Sequence, residues 1–476
     1  MEKVRAYLLL FIALILLASG CVLGIRKPKV VVREPKKPGE SKIVYEVPPP
    51  PKIHLGMVKG ATAFKMLIPR VIKICDGVYL AEGFALANVA MVITDEGVVI
   101  IDTTESPESA KEILKKFRKI TAKPIKYLIY THGHGDHTQG SKVFYQPGMK
   151  VIATKEFLDF VNFETRLTGP WTRWSRKVQS ARAAPEYSRI KLPVRNIVRA
   201  DVGTPEIVMP NITFEGEYKF ELGGEVFELY HAPGETPDML FIWLPKKRVL
   251  FCGDDYYGVF PNLSSPMLAP RPVREWIHSL DRMIALKPAY LVPGHTDPII
   301  GEEKIQKVLT NYRDAIKAVY EQTINCINKG ISVDEAVRLV KLPAHLAKLP
   351  YLQEFYGRID WSVRGIYQGT IGWYDGDGSK LCPLPPSYLA RELVNLAGGA
   401  DKILKRAIEL QKQGEYQLSS ELCDVVIRAN PDDKMAHLIK AVNMEHLAVA
   451  SKSLNQFGFY FSASQMEFKK AGYKEK

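Results

Sequence analysis

The 476 residues carry 65 Lys and Arg against 52 Asp and Glu, a formal net charge of +13, and 46% of them are hydrophobic. That apolar content excludes a disordered chain and suffices for two cores, while six scattered cysteines exclude a disulfide scaffold. No nucleic-acid motif accompanies the basic balance, so it reads as surface and substrate electrostatics, with no nucleic-acid partner expected.

Lys3 and Arg5 precede an apolar run from Ala6 to Ala18, followed by Ser19-Gly20-Cys21. Spanning a membrane needs about 20 apolar residues, so this shorter run fits the core of a secretory signal. The small residues before Cys21 look like a lipobox. Residues 1–20 are therefore expected to be a lipoprotein signal peptide, with Cys21 acylated and the body exported to the outer side of the membrane, at the cell surface or in the periplasm. An uncleaved anchor is the alternative, and it exports the body too. Residues 21–55 follow as a Pro/Lys-rich tether: between Arg26 and Lys52 stand seven prolines and eight Lys/Arg against three Glu, which predicts a disordered or extended segment.

From about residue 56 to 320 short β-rich runs alternate with helical patterns. Strands are predicted at Val78–Ala81, Val89–Thr94, Val98–Asp102, Tyr127–Tyr130, Val151–Ala153, Phe220–Leu229, Leu240–Leu244, Val249–Cys252 and Tyr290–Val292, and helices at Ser106–Ile120 and Arg274–Leu286. The loop after Tyr127–Tyr130 reads Thr131-His132-Gly133-His134-Gly135-Asp136-His137. Glycines let this loop fold tightly, so His132 and His134 can aim at one ion while Asp136 and His137 aim at a second. A solvated surface loop is the bland alternative, and the concentration of ligand types argues against it.

The loop, with its His-x-His-x-Asp-His signature at a strand end, resembles the metallo-β-lactamase superfamily. That resemblance implies an α/β fold, an αββα sandwich, with Asp102 supporting the metal loop and further ligands at Glu235, Asp254 and His295. Most of the superfamily has a histidine where Glu235 stands in Pro233-Gly234-Glu235-Thr236, and a carboxylate there is similar to the alkyl sulfatase branch. Carried over by position, the first metal takes His132, His134 and Glu235, and the second takes Asp136, His137 and His295. Asp254 bridges them, with Asp255 as the substitute bridge. The implied cofactor is two Zn2+, which mixed imidazole and carboxylate ligands suit, although Mn2+ or Fe fits as well. Such ions lower the pKa of a bound water toward ~7 and clamp oxygens of the attacked group, so Asp136 and Asp254 count as catalytic.

The resemblance also implies a substrate contact at Asn262 and an arginine, displaced here, for which Arg271 is the candidate with a solvated residue as its other reading; Tyr256 and Tyr257 are pocket or proton-donor candidates or simply packing. Met267 stands roughly where the branch has an arginine, Arg274 reads as a solvated helix residue, and His231 as a strand end. The stretch Phe163 to Tyr187, with Arg166, Trp171, Arg173, Trp174, Arg176 and Lys177, interleaves aromatics and cations and reads as a lid for an anionic amphiphile. An ordinary surface loop or a single-strand contact is the other reading of that stretch.

Residues 321–476 carry almost only helix signals. Phe355-Tyr356-Gly357-Arg358 and Ile366 to Gly376 are similar to the opening of the helical dimerisation domain of alkyl sulfatases, and Ala400–Ala450 has the helix-pair spacing of a tetratricopeptide-like repeat. The implied fold is thus the sandwich followed by an all-α tetratricopeptide-like dimerisation domain, in a homodimer. The further sterol-carrier-like domain of long-chain alkyl sulfatases has no counterpart in the resemblance, and membrane tethering would compensate for it. The expected function is a binuclear zinc hydrolase releasing alcohol and inorganic sulfate from alkyl sulfate esters, acting on a small amphiphilic anionic substrate. The alternatives are a hydrolase of another ester, lactone or β-lactam on the same metals, and a non-catalytic surface lipoprotein. A Cys382–Cys423 bridge stays open in an exported chain.

Overall fold

The computed structural model describes residues 29–33, 43–47, 69–167, 169 and 207–472. The signal peptide, Cys21 and most of the lid stretch, including Trp171, Arg173, Trp174, Arg176 and Lys177, lie outside the described residues.

Two β-sheets lie face to face. The first runs β3 (Arg70–Cys75), β4 (Val78–Glu82), β5 (Val89–Ile93), β6 (Val98–Ile101), β7 (Ile125–Ile129), β8 (Lys150–Thr154) and β9 (Ile212–Phe214) in spatial order, antiparallel up to β6 and parallel beyond it. The second runs β10 (Glu217–Leu222), β11 (Glu225–His231), β12 (Leu240–Leu244), β13 (Val249–Gly253), β14 (Tyr290–Pro293) and β15 (Ile299–Ile300), with β13 and β14 its parallel pair. Central strands β6, β12 and β13 are buried along their whole length, because helices cover the outer faces as well. The inner core holds Leu80, Ile129, Phe227, Ile242, Phe251 and Val292 from the two sheets.

Helices α1 (Pro107–Phe117), α2 (Gly135–Thr138), α3 (Ser141–Phe144) and α4 (Glu156–Arg166) follow strands of the first sheet. Ile113, Phe117 and Phe157 cover its outer face. The start of α1 is set by Ser106, whose hydroxyl accepts the Ser109 N–H at 3.2 Å, with Pro107 entering the first turn. On the second sheet lie α5 (Val273–Ala285) and α6 (Glu302–Asn328), through Trp276, Leu280, Leu309 and Tyr312. Joined to the same core are α7 (Val333–Leu339), α8 (Ala344–Ala347) and α9 (Ile359–Ile371). The chain ends in α10 (Pro386–Leu396), α11 (Ala400–Lys412), α12 (Tyr416–Ala429), α13 (Lys434–Ala450) and α14 (Leu454–Lys470), around a core that includes Leu404, Ala407, Cys423 and Ile439. The architecture is an αββα sandwich followed by a helical C-terminal domain.

Several sequence expectations change. The boundary at 320/321 falls inside α6, a helix roughly 40 Å long, and the helices up to Ile371 share the sandwich's outer core. The strand expected at Phe220–Leu229 is a hairpin, because Gly223 and Gly224 both adopt positive φ (50° and 78°) in a two-residue turn. Within the expected tether, β1 (Lys29–Arg33) and β2 (Ile43–Val47) pair antiparallel, and Val47 is buried in the core of the C-terminal helices. The β-branched runs Val30–Val32 and Ile43–Val44 carry strand propensity that the surrounding proline and lysine mask. Cys423 is buried and Cys382 exposed, both free, so the bridge is not formed. No helix among the described residues is long and apolar enough to cross a membrane.

Candidate metal centre

The loops that leave β6, β7, β11, β13 and β14 at their C-terminal ends bring Asp102, the histidine loop, Glu235, Asp254 and His295 together. One group comprises His132, His134, Glu235 and Asp254, and a second Asp136, His137 and His295, with the donor atoms of each within 4.8 Å of one another. In the first, His132 Nε2 lies 2.8 Å from His134 Nδ1, and His134 Nδ1 lies 3.6 Å from Glu235 Oε2. In the second, His137 Nε2 is 3.4 Å from His295 Nε2, and Asp136 Oδ2 is 3.8 Å from His137 and 3.5 Å from His295. Asp254 reaches both groups: Oδ2 is 3.9 Å from His132 Nε2 and 2.9 Å from His295 Nε2, and Oδ1 is 3.4 Å from His137 Nε2.

Each donor is aimed by a partner behind it. Asp102 Oδ2 takes His137 Nδ1 at 2.8 Å and the Thr131 hydroxyl at 2.8 Å, and Oδ1 accepts the Thr131 N–H at 2.8 Å. His137 is thereby left with Nε2 pointing into the cluster. Asp102 holds φ at +58°, an uncommon conformation for a non-glycine residue, so the fold constrains this acid tightly. His295 Nδ1 faces the Leu86 carbonyl at 2.9 Å. Asp238 Oδ2 accepts the Gly133 N–H at 2.7 Å, pinning the turn between His132 and His134. On Glu235, Oε1 pairs with Arg271 Nη1, which leaves Oε2 toward His134.

The electrostatics report where negative charge gathers. Burial works to lower His137 and His295, but Asp254 and its neighbouring carboxylates prevail, lifting His137 well above the usual imidazole range and His295 to about 9. His132, buried and beside other imidazoles, is pushed well below that range. Burial would raise Glu235, yet Arg271 and His134 hold it well below the ordinary carboxylate range. Four imidazoles facing three carboxylates in two groups suit divalent cations, and the buried Asp254 Oδ1 makes no hydrogen bond among the described residues, His137 Nε2 lying 3.4 Å away.

The expected substrate residues divide. Arg271 reaches the cluster, although its observed partner is the ligand candidate Glu235. Asn262 is fully buried, and both polar atoms of its carboxamide lack a partner among the described residues. Tyr256 does not line the centre: it stacks edge-on against Tyr312 of α6 in the outer core, at 4.9 Å between centroids. Its neighbour Tyr257 packs edge-on against Tyr312 too, at 6.5 Å, and its hydroxyl accepts the Asn262 N–H at 2.5 Å. Asp255 points away from the histidines, toward Gly234 and Trp276; burial and then Asp254's charge push its carboxyl well above the usual range. Arg274 is exposed, and His231 Nε2 contacts the Pro237 carbonyl at 2.8 Å.

Sequence reading passed over Tyr356. This residue comes from the helical half, stacks edge-on against Tyr257 at 5.6 Å, and feels Glu235, Arg271, Asp136 and Asp254 after burial as influences on its phenol. Only tertiary structure brings it there, across more than fifty residues from His295. Asp238 was passed over too, although it closes the turn that carries Glu235.

Residues 83–295 match the family model described as metallo-beta-lactamase superfamily, and residues 332–469 match that described as alkyl sulfatase dimerisation. A linear primary-alkylsulfatase of Pseudomonas sp. is 36% identical over 394 residues, which cover 80% of this chain and 74% of that protein. An alkyl/aryl-sulfatase of Saccharomyces cerevisiae is 27% identical over 401 residues, covering 80% of this chain and 61% of its own. Among solved structures, the stereoselective inverting sec-alkylsulfatase from Pseudomonas sp. aligns with a TM-score of 0.78 at 25% identity, over 86% of this chain and 66% of that one. With identity at that level across four fifths of its length, and both halves matched in order, the chain is a hydrolase that belongs to the alkylsulfatases of the metallo-β-lactamase superfamily.

Proposed function

We propose that this chain is a binuclear zinc hydrolase that splits alkyl sulfate esters into alcohol and inorganic sulfate. The observation that carries the reading is the donor set itself: four imidazoles and three carboxylates in two groups, with a glutamate in the first. Two divalent ions would bring four positive charges, which Asp136, Glu235, Asp254 and a hydroxide would balance, so an anionic ester needs further cationic or hydrogen-bonding help from the protein. Bound there, the ions supply an activated water and polarise the oxygens of the sulfate. Within the protein, Asp254 spans the two groups, and His134 and Asp136, 31% and 22% exposed, open one member of each group to solvent. Arg271 has guanidinium donors beyond the one given to Glu235, and the unpartnered amide of Asn262 offers both a donor and an acceptor.

The solved sec-alkylsulfatase is described as inverting, and inversion at a stereogenic carbon requires attack at that carbon. Carried to this chain, water oxygen enters the alcohol, and sulfate departs as the anion of a strong acid without a proton donor. The test is turnover of dodecyl sulfate in 18O water by protein of known metal content. Sulfate release that stops on chelation and returns with zinc, with label in the alcohol, is expected. Label in the sulfate would mean attack at sulfur, and no sulfate from a fully metallated protein would overturn the substrate assignment.

The same proposal has the enzyme exported, anchored through a lipid on Cys21, and homodimeric. The charged-apolar-small pattern up to Cys21 supports the anchor. The dimerisation match supports the dimer, as do exposed Trp373, Leu384, Leu389 and Leu396 on and before α10, apolar surface that a second copy would cover. In a bacterial host, Cys21→Ser is expected to abolish palmitate incorporation and shift the protein from the membrane to the soluble fraction. Unchanged labelling would refute the lipid anchor.

A further inference from the structure

A carboxylate ligand swings about more bonds than an imidazole does, so Glu235 needs a backbone held in place. The turn that carries it is fastened from beneath by α5. Ser279 donates its hydroxyl to the Pro233 carbonyl at 2.9 Å, and Arg282 Nη1 donates to the His231 carbonyl at 2.7 Å. Between these fastenings and Glu235 stands Gly234, and there the support comes from Asp255. A β-carbon at Gly234 would lie 1.7 Å from Asp255 Oδ1 and 3.0 Å from Trp276 Cδ1. Trp276 in turn donates its indole N–H to the Asp255 carbonyl at 3.1 Å. The Asp255 carboxyl is completely buried and has no side-chain partner. Burying such a group is costly, and the polar group that favours its charged form is the backbone of Glu235 in the ligand turn itself. What it does is fill the space behind the ligand turn.

We propose that Asp255 is a positioning residue for the first metal group: its side chain seats against the bare Cα of Gly234 and so sets the turn that presents Glu235 Oε2. Asp254 and Asp255 then have opposite duties, one facing the cluster and the other bracing it from behind. This rests on Glu235 being a metal ligand, as proposed above, and the experiment separates the two claims.

Ion-free protein is titrated with zinc against a chromogenic chelator, and thermal unfolding is followed alongside. Gly234→Ala is expected to weaken the first ion by roughly tenfold or more, the range seen when groups behind metal ligands are changed, and to leave the second ion within about threefold. Asp255→Ala weakens the first ion too, by loss of the brace, whereas the isosteric Asp255→Asn keeps it within about threefold. The double variant Gly234→Ala/Asp255→Ala regains most of the lost affinity, since the added methyl takes the vacated space. A general loss of stability would weaken both ions together and would not be rescued by the second substitution. Wild-type zinc affinity in Asp255→Ala, or a double variant as weak as the product of the two single losses, overturns the proposal, and either reading survives a Gly234→Ala protein that fails to fold. If the unaltered protein binds no zinc, the metal reading itself falls; if it binds two ions and all variants match it, only the role of Asp255 does.

Discussion

Asp136→Ala and His134→Ala should each lower sulfate release by about three orders of magnitude while leaving the fold in place. Asp136 Oδ2 sits 3.5 Å from His295 Nε2, and His134 Nδ1 sits 2.8 Å from His132 Nε2, so each substitution removes a donor from one group, leaving His137 and His295 in the second or His132, Glu235 and Asp254 in the first. An ion acting as Lewis acid and water activator contributes several kcal/mol to the barrier, and about 1.4 kcal/mol corresponds to a decade in rate. Both side chains are partly open to solvent, 22% and 31% exposed, so truncation creates no core cavity and thermal stability of the ion-free protein should barely move. Metal analysis should find the loss confined to one ion in each variant. Full activity in both, with two ions still bound, would dissolve the site assignment.

Why the cluster could be read from sequence, and much around it could not, is a matter of range. His132 to His137 fall within one loop, and each later ligand follows an apolar run that reads as a strand, so chemistry and local pattern coincide. The orientation of Tyr256 and Tyr257 has no such local signature. Both rings pack on Tyr312, and only the Tyr257 hydroxyl reaches the Asn262 N–H, so the orientation of the pair depends on a helix some fifty residues away. The hairpin at Gly223-Gly224 was legible in principle, since paired glycines between β-rich runs are a turn signal, but the continuous alternation across them reads as one long strand. The β1–β2 ribbon hides for the opposite reason: charge and proline dominate its surroundings, while its burial partners, with which Val47 packs, lie some 350 residues further on. The outer core that merges α9 with α5 and α6 runs across the place where the sequence changes from a mixed to a helical pattern.

That merger predicts a large effect from a residue far in sequence from any ligand. The segment before α9 is laced to the loop after β13: the Phe260 N–H donates to the Gln353 carbonyl at 3.0 Å, and the Gly357 N–H donates to the Phe260 carbonyl at 3.2 Å. From the other side, the Leu454 N–H donates to the Phe355 carbonyl at 2.8 Å, and the Ser453 hydroxyl to the Tyr356 carbonyl at 2.9 Å. At Gly357 a β-carbon would lie 2.0 Å from the Pro261 carbonyl oxygen and 2.7 Å from the Asn262 nitrogen. These are backbone atoms and cannot rotate aside. Gly357→Ala should therefore push the two segments apart, destabilising the fold by about 1–3 kcal/mol, the usual range for a methyl forced into a filled space. The displacement falls on Asn262 and Tyr356 together, and a shift of about 1 Å at a reacting centre costs on the order of a hundredfold in rate. Assayed well below its unfolding midpoint, with both ions loaded, the variant should lose activity on that scale while zinc affinity stays near wild type, because the one donor residue in these segments, Asp254, directly follows β13, six residues before the laced Phe260, and the other six lie elsewhere. A variant with normal turnover and an unchanged unfolding midpoint would show that the helical half covers the catalytic centre without shaping it.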